Sequence, residues 1–353
     1  MKHSRPLSIW CRYDKLGASS RLRFIQFIPE LEKAGFETDF HHFFDDCYLK
    51  QLYSGNGKSK LAFLTALKRR LSELAALPAQ VPLFIEYELL PFLPYGIEKR
   101  FLARHPYILN FDDAVDLRYA RLPVLKRKYP QLLANAAGLI VANDELLNRF
   151  SVYNSNIFKL PTVPPPPPEN SAAVMPPGKL LRIGWIGTPV THRFLTAHTE
   201  ILQKMYAAVP FELLVIAKED LPEIPGIPTC NVNWSQESEH ALLKSCHAGI
   251  MPLDDSPFAR GKSAFKLIQY LRANIPAIAS AVGENQLVID HGQTGFCASN
   301  AEEWVAAWQQ LADARYRAAM QEPIAAKAEK YSFENNAKLL TGFLTSTLDK
   351  YHG

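Results

Sequence analysis

No stretch of this sequence approaches the roughly 18 uninterrupted apolar residues that a spanning helix needs, so no transmembrane helix is expected. The opening residues, Met1 to Pro6, lead only into a short apolar segment before Arg12, Asp14 and Lys15, with no h-region or cleavage site of a signal peptide. The expectation is a cytoplasmic protein. Cysteine is also sparse. Cys11, Cys47, Cys230, Cys246 and Cys297 are odd in number, scattered and free of any C-x-x-C pair, which indicates neither a disulfide framework nor a zinc site. No RNP, zinc-finger or basic-zipper pattern occurs, so nucleic acid is not an expected partner.

What is present fits a two-domain α/β chain. A length of 353 residues is about twice the usual single-domain size, and 48% hydrophobic with 21% charged residues is enough to bury ordinary cores. Eight of the eighteen residues from Pro161 to Gly178 are proline. Such a run is extended, lacks most of its backbone donors and cannot continue a helix or central strand, so it reads as a linker between domains at 1–160 and 179–330. Charge is unevenly divided between them. Residues 1–160 carry 23 Lys+Arg against 16 Asp+Glu, a net of +7, whereas residues 161–353 carry 16 against 19, a net of −3. The first half should favour an anionic partner or surface.

Strand and helix patterns alternate on both sides of the linker. Before it, Leu7 to Trp10, Val81 to Tyr87, Tyr107 to Phe111 and Gly138 to Asn143 are apolar strands, and Ser20 to Ala34 has helical spacing with Gly35 as its C-cap. After it come strands at Leu180 to Gly187, Phe211 to Ala217, Ala248 to Leu253 and Pro276 to Val282. Between these are helices at Leu195 to Ala208, Glu237 to Cys246 and Ser263 to Ala273, and a last helix, Phe333 to Tyr351, is placed back toward the N-terminal domain. Alternation of this kind implies right-handed crossovers and parallel sheets. The expected fold is two Rossmann-like doubly wound domains joined by the proline-rich linker, with an inter-domain ligand cleft between their strand C-terminal ends.

Two segments carry chemistry. Arg182 to Phe194 is a strand turning into a helix, with Gly184 and Gly187 permitting close backbone approach. It lacks the third glycine of a dinucleotide fingerprint, which counts against a nicotinamide enzyme. Between Asp254 and Ser280, Arg260, Lys262 and Lys266 gather with Gly261 and Ser263 at the start of a helix, and Lys262, Lys266, Gln269 and Tyr270 have the spacing of one helical face. The helix dipole disfavours cations there. Their presence makes sense if they hold a diphosphate.

The segment Gly249 to Trp304, GIMPLDDSPFARGKSAFKLIQYLRANIPAIASAVGENQLVIDHGQTGFCASNAEEW, resembles the donor-binding half of family 4 glycosyltransferases of the GT-B fold. Gly17 to Gly35, Leu109 to Arg118 and Ile183 to Leu195 resemble the same group. The resemblance implies transfer of a sugar from a nucleotide sugar with retention of configuration, no bound metal and no separate cofactor. It places donor-binding residues at Gly187, Thr188, Arg193, Lys218, Arg260, Gly261, Lys262, Ser263, Phe265, Lys266 and Gln269. Acceptor-binding residues fall at Gly17, Ser19, Ser20, Arg21, Glu88, Asp112 and Asp113. Lys262, Lys266, Arg193 and Asp113 are the expected catalytic residues, the cations stabilising a departing diphosphate and the carboxylate drawing off a proton. Two family features are missing. Gly261 stands where many members carry a sugar-contacting glutamate, and Thr188 stands where the pattern has an arginine.

Some readings stay open at this level. Asp112 and Asp113 are acceptor groups or a helix N-cap and its neighbour. His41, His42, Asp45 and Asp46 read as an ordinary loop rather than a metal site. The basic amphipathic segment Lys58 to Leu77 packs on its own domain or lies on anionic lipid, with packing favoured. The expected function is transfer to a glycan or a lipid-diphosphate-linked acceptor in bacterial surface polysaccharide synthesis, with peripheral contact at the inner face of the cytoplasmic membrane as a further expectation. An epimerase or phosphorylase on the same fold, and a degenerate transferase acting as a scaffold, are the rivals.

Overall fold

The computed structural model describes residues 5–53, 59–167, 175 and 178–351. The chain divides into two units, one formed by Met1–Thr162 with Asn336–Gly353 and the other by Val163–Asn335.

The first unit is built on β1 (Arg5–Tyr13), β2 (Phe36–Phe44), β3 (Leu83–Glu86), β4 (Tyr107–Phe111), β5 (Gly138–Val141) and β6 (Ile157–Lys159), all parallel, in the order β2-β1-β3-β4-β5-β6. Strands β3, β4 and β5 are buried at every position. Their near-continuous apolar runs, interrupted only by Glu86 and Asn110, follow from helices covering both faces of a parallel sheet. The edge strand β2 alternates instead, with Glu37 exposed. The helix expected from Ser20 to Ala34 is broken into Ala18–Arg23, a 3₁₀ turn at Ile25–Phe27 and Ile28–Lys33. Pro29 has no N–H to continue the ladder, so the chain restarts there. The final helix, Phe333–Leu348, stacks Phe343 on Phe158 at 5.2 Å between ring centres, and Thr347 Oγ1 accepts a bond from Asn156 at 3.3 Å.

The helix Lys60–Ala76 is capped by Ser59, whose Oγ accepts from the Ala62 N–H at 3.2 Å. It buries Leu74 and packs Leu67 and Leu71 on the core, each fully buried leucine contributing about 1.5–3 kcal/mol. Packing therefore accounts for most of this helix, while Leu61 and Leu64 in its first turns remain 74% and 59% exposed. His41 and His42 belong to β2 rather than to a loop. His41 stacks on Trp10 at 4.0 Å, Asp45 accepts from the Tyr48 N–H and Asp46 from the Leu16 N–H.

The second unit repeats the plan with β7 (Leu181–Ile186), β8 (Phe211–Ala217), β9 (Thr229–Asn233), β10 (Ala248–Met251), β11 (Ala277–Ser280) and β12 (Gly295–Ala298), parallel, in the order β12-β11-β10-β7-β8-β9. Both sheets reverse direction once, between β1 and β3 in the first and between β7 and β10 in the second. Ligands of open α/β sheets bind outside the strand C-termini at such switch points. The loops that leave β1, β3, β7 and β10 carry most of the residues singled out from sequence.

Candidate functional site

In the first unit, β1 ends at Tyr13 and the chain turns at Gly17, where the N–H donates to the Asp14 carbonyl at 3.0 Å. A Cβ on Gly17 would stand 2.4 Å from Tyr13 Cβ. The glycine is thus required by its own neighbour, not only by an approaching ligand. Beyond it Ser20 is buried and donates to Glu86 Oε2 at 2.6 Å, while the same oxygen accepts the Arg12 N–H at 2.8 Å. Glu86 ties the Gly17–Arg21 turn to the end of β3, and burial raises its carboxyl pKa. Glu86 is not among the residues that the sequence pattern singles out. The available signal was a carboxylate inside an otherwise apolar strand.

Tyr87 follows with φ +62°, a left-handed conformation that an aromatic residue adopts only under constraint. The Glu88 N–H bonds the Glu86 carbonyl at 2.7 Å across it. This bend aims the Tyr87 hydroxyl at the Asp112 carboxylate, to which it donates, and holds it 3.2 Å from Ser19 Oγ. Ser19, Tyr87 and Asp112 therefore meet at the β1/β3/β4 ends. Burial, reinforced by the neighbouring Asp113, pushes the Asp112 pKa up to about 7. Neither aspartate caps the next helix: Asp116–Ala120 starts from Val115 without a side-chain cap. Arg21 donates to the Lys15 carbonyl at 3.2 Å. Arg23, buried behind the turn, donates to Asn110 Oδ1 at 2.9 and 2.7 Å and to the Leu160 carbonyl at 2.6 Å.

Glu88 is placed differently from the expectation of an acceptor contact. Its side chain is fully enclosed. It pairs with Arg12, lies 2.6 Å from Lys128 Nζ and accepts from Tyr119 Oη at 2.8 Å. Lys128 also reaches Glu98 at 2.9 Å and the Leu90 carbonyl at 2.6 Å, and Glu98 in turn accepts from the backbone N–H of Leu89 and, at 3.1 Å, of Leu90. Two cations and two carboxylates thus balance inside the core, and the network anchors the chain on both sides of Tyr87. Glu88 supports the loop and has no free surface for an acceptor.

In the second unit, β7 leads through Gly187 into a 3₁₀ turn, Pro189–Thr191, and the helix His192–Thr196. The single helix expected from Leu195 to Ala208 is split, its second part being Thr199–Ala208. A Cβ on Gly187 would meet the Trp185 indole at 2.5 Å and Thr191 Oγ1 at 2.7 Å, so the close approach here is made by Trp185. Thr188 is exposed, and its carbonyl accepts from Thr191. His192 is buried beside Trp185, 5.3 Å between ring centres. Among the described residues its Nε2 has no hydrogen-bond partner, and burial, with Lys266 nearby, lowers its pKa. The ring stays neutral at neutral pH.

After β10 a short helix, Pro257–Arg260, ends at Arg260, and the next helix runs from Phe265 to Arg272, so Arg260, Lys262 and Ser263 all precede it. Ala264, at φ +51°, starts the helix without a side-chain cap, which leaves its N-terminal amides to other acceptors. The one-face arrangement inferred from spacing is corrected accordingly. Lys266 lies over Trp185 at 5.2 Å, whereas Tyr270 is buried and donates to the Ile250 carbonyl at 2.9 Å. Gln269 lines a separate cavity of about 150 Å³ with Pro164–Pro167, His240 and Arg272. Lys262 sits 5.9 Å from the Phe194 ring and 5.0 Å from Phe258, and Arg193 lies 4.8 Å from Phe194. Among the described residues no carboxylate pairs with Lys262 or Arg193. Arg260 is held by Asp255 at 2.6 and 2.8 Å, and Lys218 lies over Trp234 at 5.6 Å. The structure brings together Arg193, Lys262, Lys266 and His192, and keeps Gln269, Arg260 and Lys218 on other partners.

This is the GT-B architecture: two Rossmann-like units in one chain, each with its polar cluster at a switch point. Solved structures share it over nearly their whole length. Sucrose-phosphate synthase from Thermosynechococcus elongatus superposes with a TM-score of 0.68 at 15% identity, covering 98% of this chain and 99% of its own. HepE of Anabaena, solved with UDP and glucose, gives 0.65 at 11%, covering 97% and 100%. A glycosyltransferase from Rickettsia africae gives 0.65 at 12%, covering 98% and 99%. At these identities the likeness establishes the fold. No protein-family model matches the chain, and no curated protein sequence matches it.

Proposed function

We propose that this protein is a glycosyltransferase of the family 4 type, which moves a sugar from a nucleotide-sugar donor, with retention of configuration, to a glycan or lipid-linked acceptor in bacterial surface polysaccharide synthesis. The carrying observation is the cluster of Arg193, Lys262 and Lys266 at the β7/β10 switch point, around the start of an uncapped helix and beside His192 Nε2, which has no hydrogen-bond partner among the described residues. Cleavage of the anomeric C–O bond leaves the electron pair and negative charge on the nucleoside diphosphate. Fixed cations and helix amides at that point stabilise the transition state more than the ground state. The acceptor oxygen forms the new bond to the anomeric carbon, and its proton is drawn off by the Asp112–Asp113 pair, with Tyr87 and Ser19 orienting Asp112. This reading needs neither metal nor separate cofactor, and it assigns the enzyme to the cytoplasm.

The test is a panel of nucleotide sugars, with binding followed by calorimetry and turnover by release of the nucleoside diphosphate. Magnetic resonance of the product reports the anomeric configuration. Tight binding of at least one donor is expected. A folded protein that binds none would overturn the proposal.

A further inference from the structure

The first unit carries an apolar and basic surface that its own fold does not use. Leu61 and Leu64 project from the first turns of the Lys60–Ala76 helix, and Phe63 between them contacts Phe92 at 6.2 Å between ring centres. Phe92 is 48% exposed yet held in a left-handed conformation, φ +65°, with its N–H donated to Tyr119 Oη at 2.9 Å and its ring 6.0 Å from Tyr119. A protein rarely keeps a bulky residue at positive φ, and here the strain presents an aromatic ring to solvent. The next turns continue the surface. Leu122 and Val124 are 45% and 74% exposed, and the backbone between them is fixed by bonds from the Leu122 N–H to Tyr119 and from the Leu125 and Lys126 N–H groups to Leu122.

The charge along the segment that carries Leu122 and Val124 is of one sign. Arg118, Arg121, Lys126 and Arg127 are all exposed, and among the described residues none of them pairs with a carboxylate. No acidic residue lies between Leu117 and Lys128, and Asp116 is already bound to Arg149. Aliphatic and aromatic tips surrounded by unpaired cations match an anionic bilayer, where apolar groups enter the acyl boundary and Arg and Lys meet the headgroups. The same surface is tied to the network that supports the Tyr87 bend, because Tyr119 accepts from the Phe92 N–H and donates to Glu88.

We infer that the surface formed by Leu61, Leu64, Phe92, Leu122 and Val124 with the four cations docks on an anionic lipid bilayer and holds the acceptor-side loops at the membrane. The inference rests on the reading of a lipid-linked acceptor and specifies where that acceptor is met.

Sedimentation of the full chain with vesicles tests it. Vesicles of phosphatidylglycerol and phosphatidylcholine should bind the protein, and vesicles of phosphatidylcholine alone should not. Each Arg or Lys replaced by Gln should weaken binding about fivefold, and raising the salt should do the same. Leu122→Ser with Val124→Ser, or Phe92→Ser alone, should weaken it at least tenfold while leaving donor binding and the circular-dichroism melting curve unchanged. Leu61→Ser with Leu64→Ser provides an independent pair should one of these variants unfold. Absence of sedimentation with anionic vesicles, or sedimentation indifferent to all of these changes, would overturn the inference, as would tight capture by a protein partner in its place. Calorimetry with nucleotide sugars on the same preparations separates the two proposals. Donor binding without vesicle binding rejects only the docking surface, and vesicle binding without donor binding rejects only the transferase reading.

Discussion

Lys128→Met should destabilise the first unit severely and leave the second untouched. Lys128 is fully enclosed and lies within 2.6 Å of Glu88, 2.9 Å of Glu98 and 2.6 Å of the Leu90 carbonyl. Without it, Arg12 and Tyr119 still serve Glu88, but Glu98 keeps only the amides of Leu89 and Leu90. Breaking one side of a buried ion pair costs about 3–5 kcal/mol, because a charge is left without compensation. Two units in one chain need not melt together, so hydrogen exchange by mass spectrometry on the intact protein is the appropriate assay. Peptides from β3 to β5 report one unit and peptides from β7 to β11 the other. The globally exchanging amides of the first group should speed up by about two to three and a half orders of magnitude. The effect should also depend on pH. Burial raises the Glu98 pKa above its ordinary 4.5, so the folded state holds a proton that the unfolded state has lost, and stability falls as pH rises through that window. Removing Lys128 raises the pKa further, so the loss should be larger at pH 8 than at pH 5. Lys128→Met combined with Glu98→Gln should recover part of the stability, since Arg12 and Glu88 then balance. A loss below about 1 kcal/mol, a loss shared by both units, or one that grows toward low pH would refute the argument.

Lys266→Ala should lower turnover by about 10²–10³-fold, the usual cost of removing a group that stabilises a developing anion, and an unchanged rate would remove Lys266 from the mechanism. Asp112 must be ionised to accept a proton, so the rate should rise with pH through about 7, the value its buried position implies. Asp112→Asn should abolish that limb of the profile. Tyr87→Phe should move the same limb while changing donor affinity little, and an unmoved limb would show that the hydroxyl does not act on Asp112. Gly187→Ala should destabilise the second unit by about 1–3 kcal/mol through the clash with Trp185, measurable by the same exchange experiment, and unaltered exchange in β7 and β8 would refute the packing account.

Much of the fold was legible because parallel strands buried on both faces leave long apolar runs. Tyr107–Phe111 and Phe211–Ala217 were read with their observed bounds. The edge strand β9, Thr229–Asn233, and the short β6 gave no such signal, since an edge is half solvated and its residues mix polar with apolar. In the candidate site, Lys262 and Lys266, with Arg260, stand out because cations at a helix start contradict the dipole and call for an anion, whereas Arg193 is pointed to by the family resemblance, and Arg260 is held by Asp255. His192 and Tyr87 do not stand out. A histidine next to an arginine is unremarkable in sequence, and nothing local to Tyr87 forecasts a positive φ imposed by a charge network four elements wide.

The sequence by itself determined the class of fold, the two-unit division and the cationic character of the β10 loop, because apolar periodicity, proline content and charge position act locally along the chain. Only the tertiary structure decided which carboxylates are free. Glu88, two residues beyond β3, is consumed by Arg12 and Lys128 from distant segments, while Asp112 is left facing Ser19 and Tyr87. The physical reason is that the cost of burying a charge depends on partners brought in from elsewhere in the chain, and no local pattern records who those partners are.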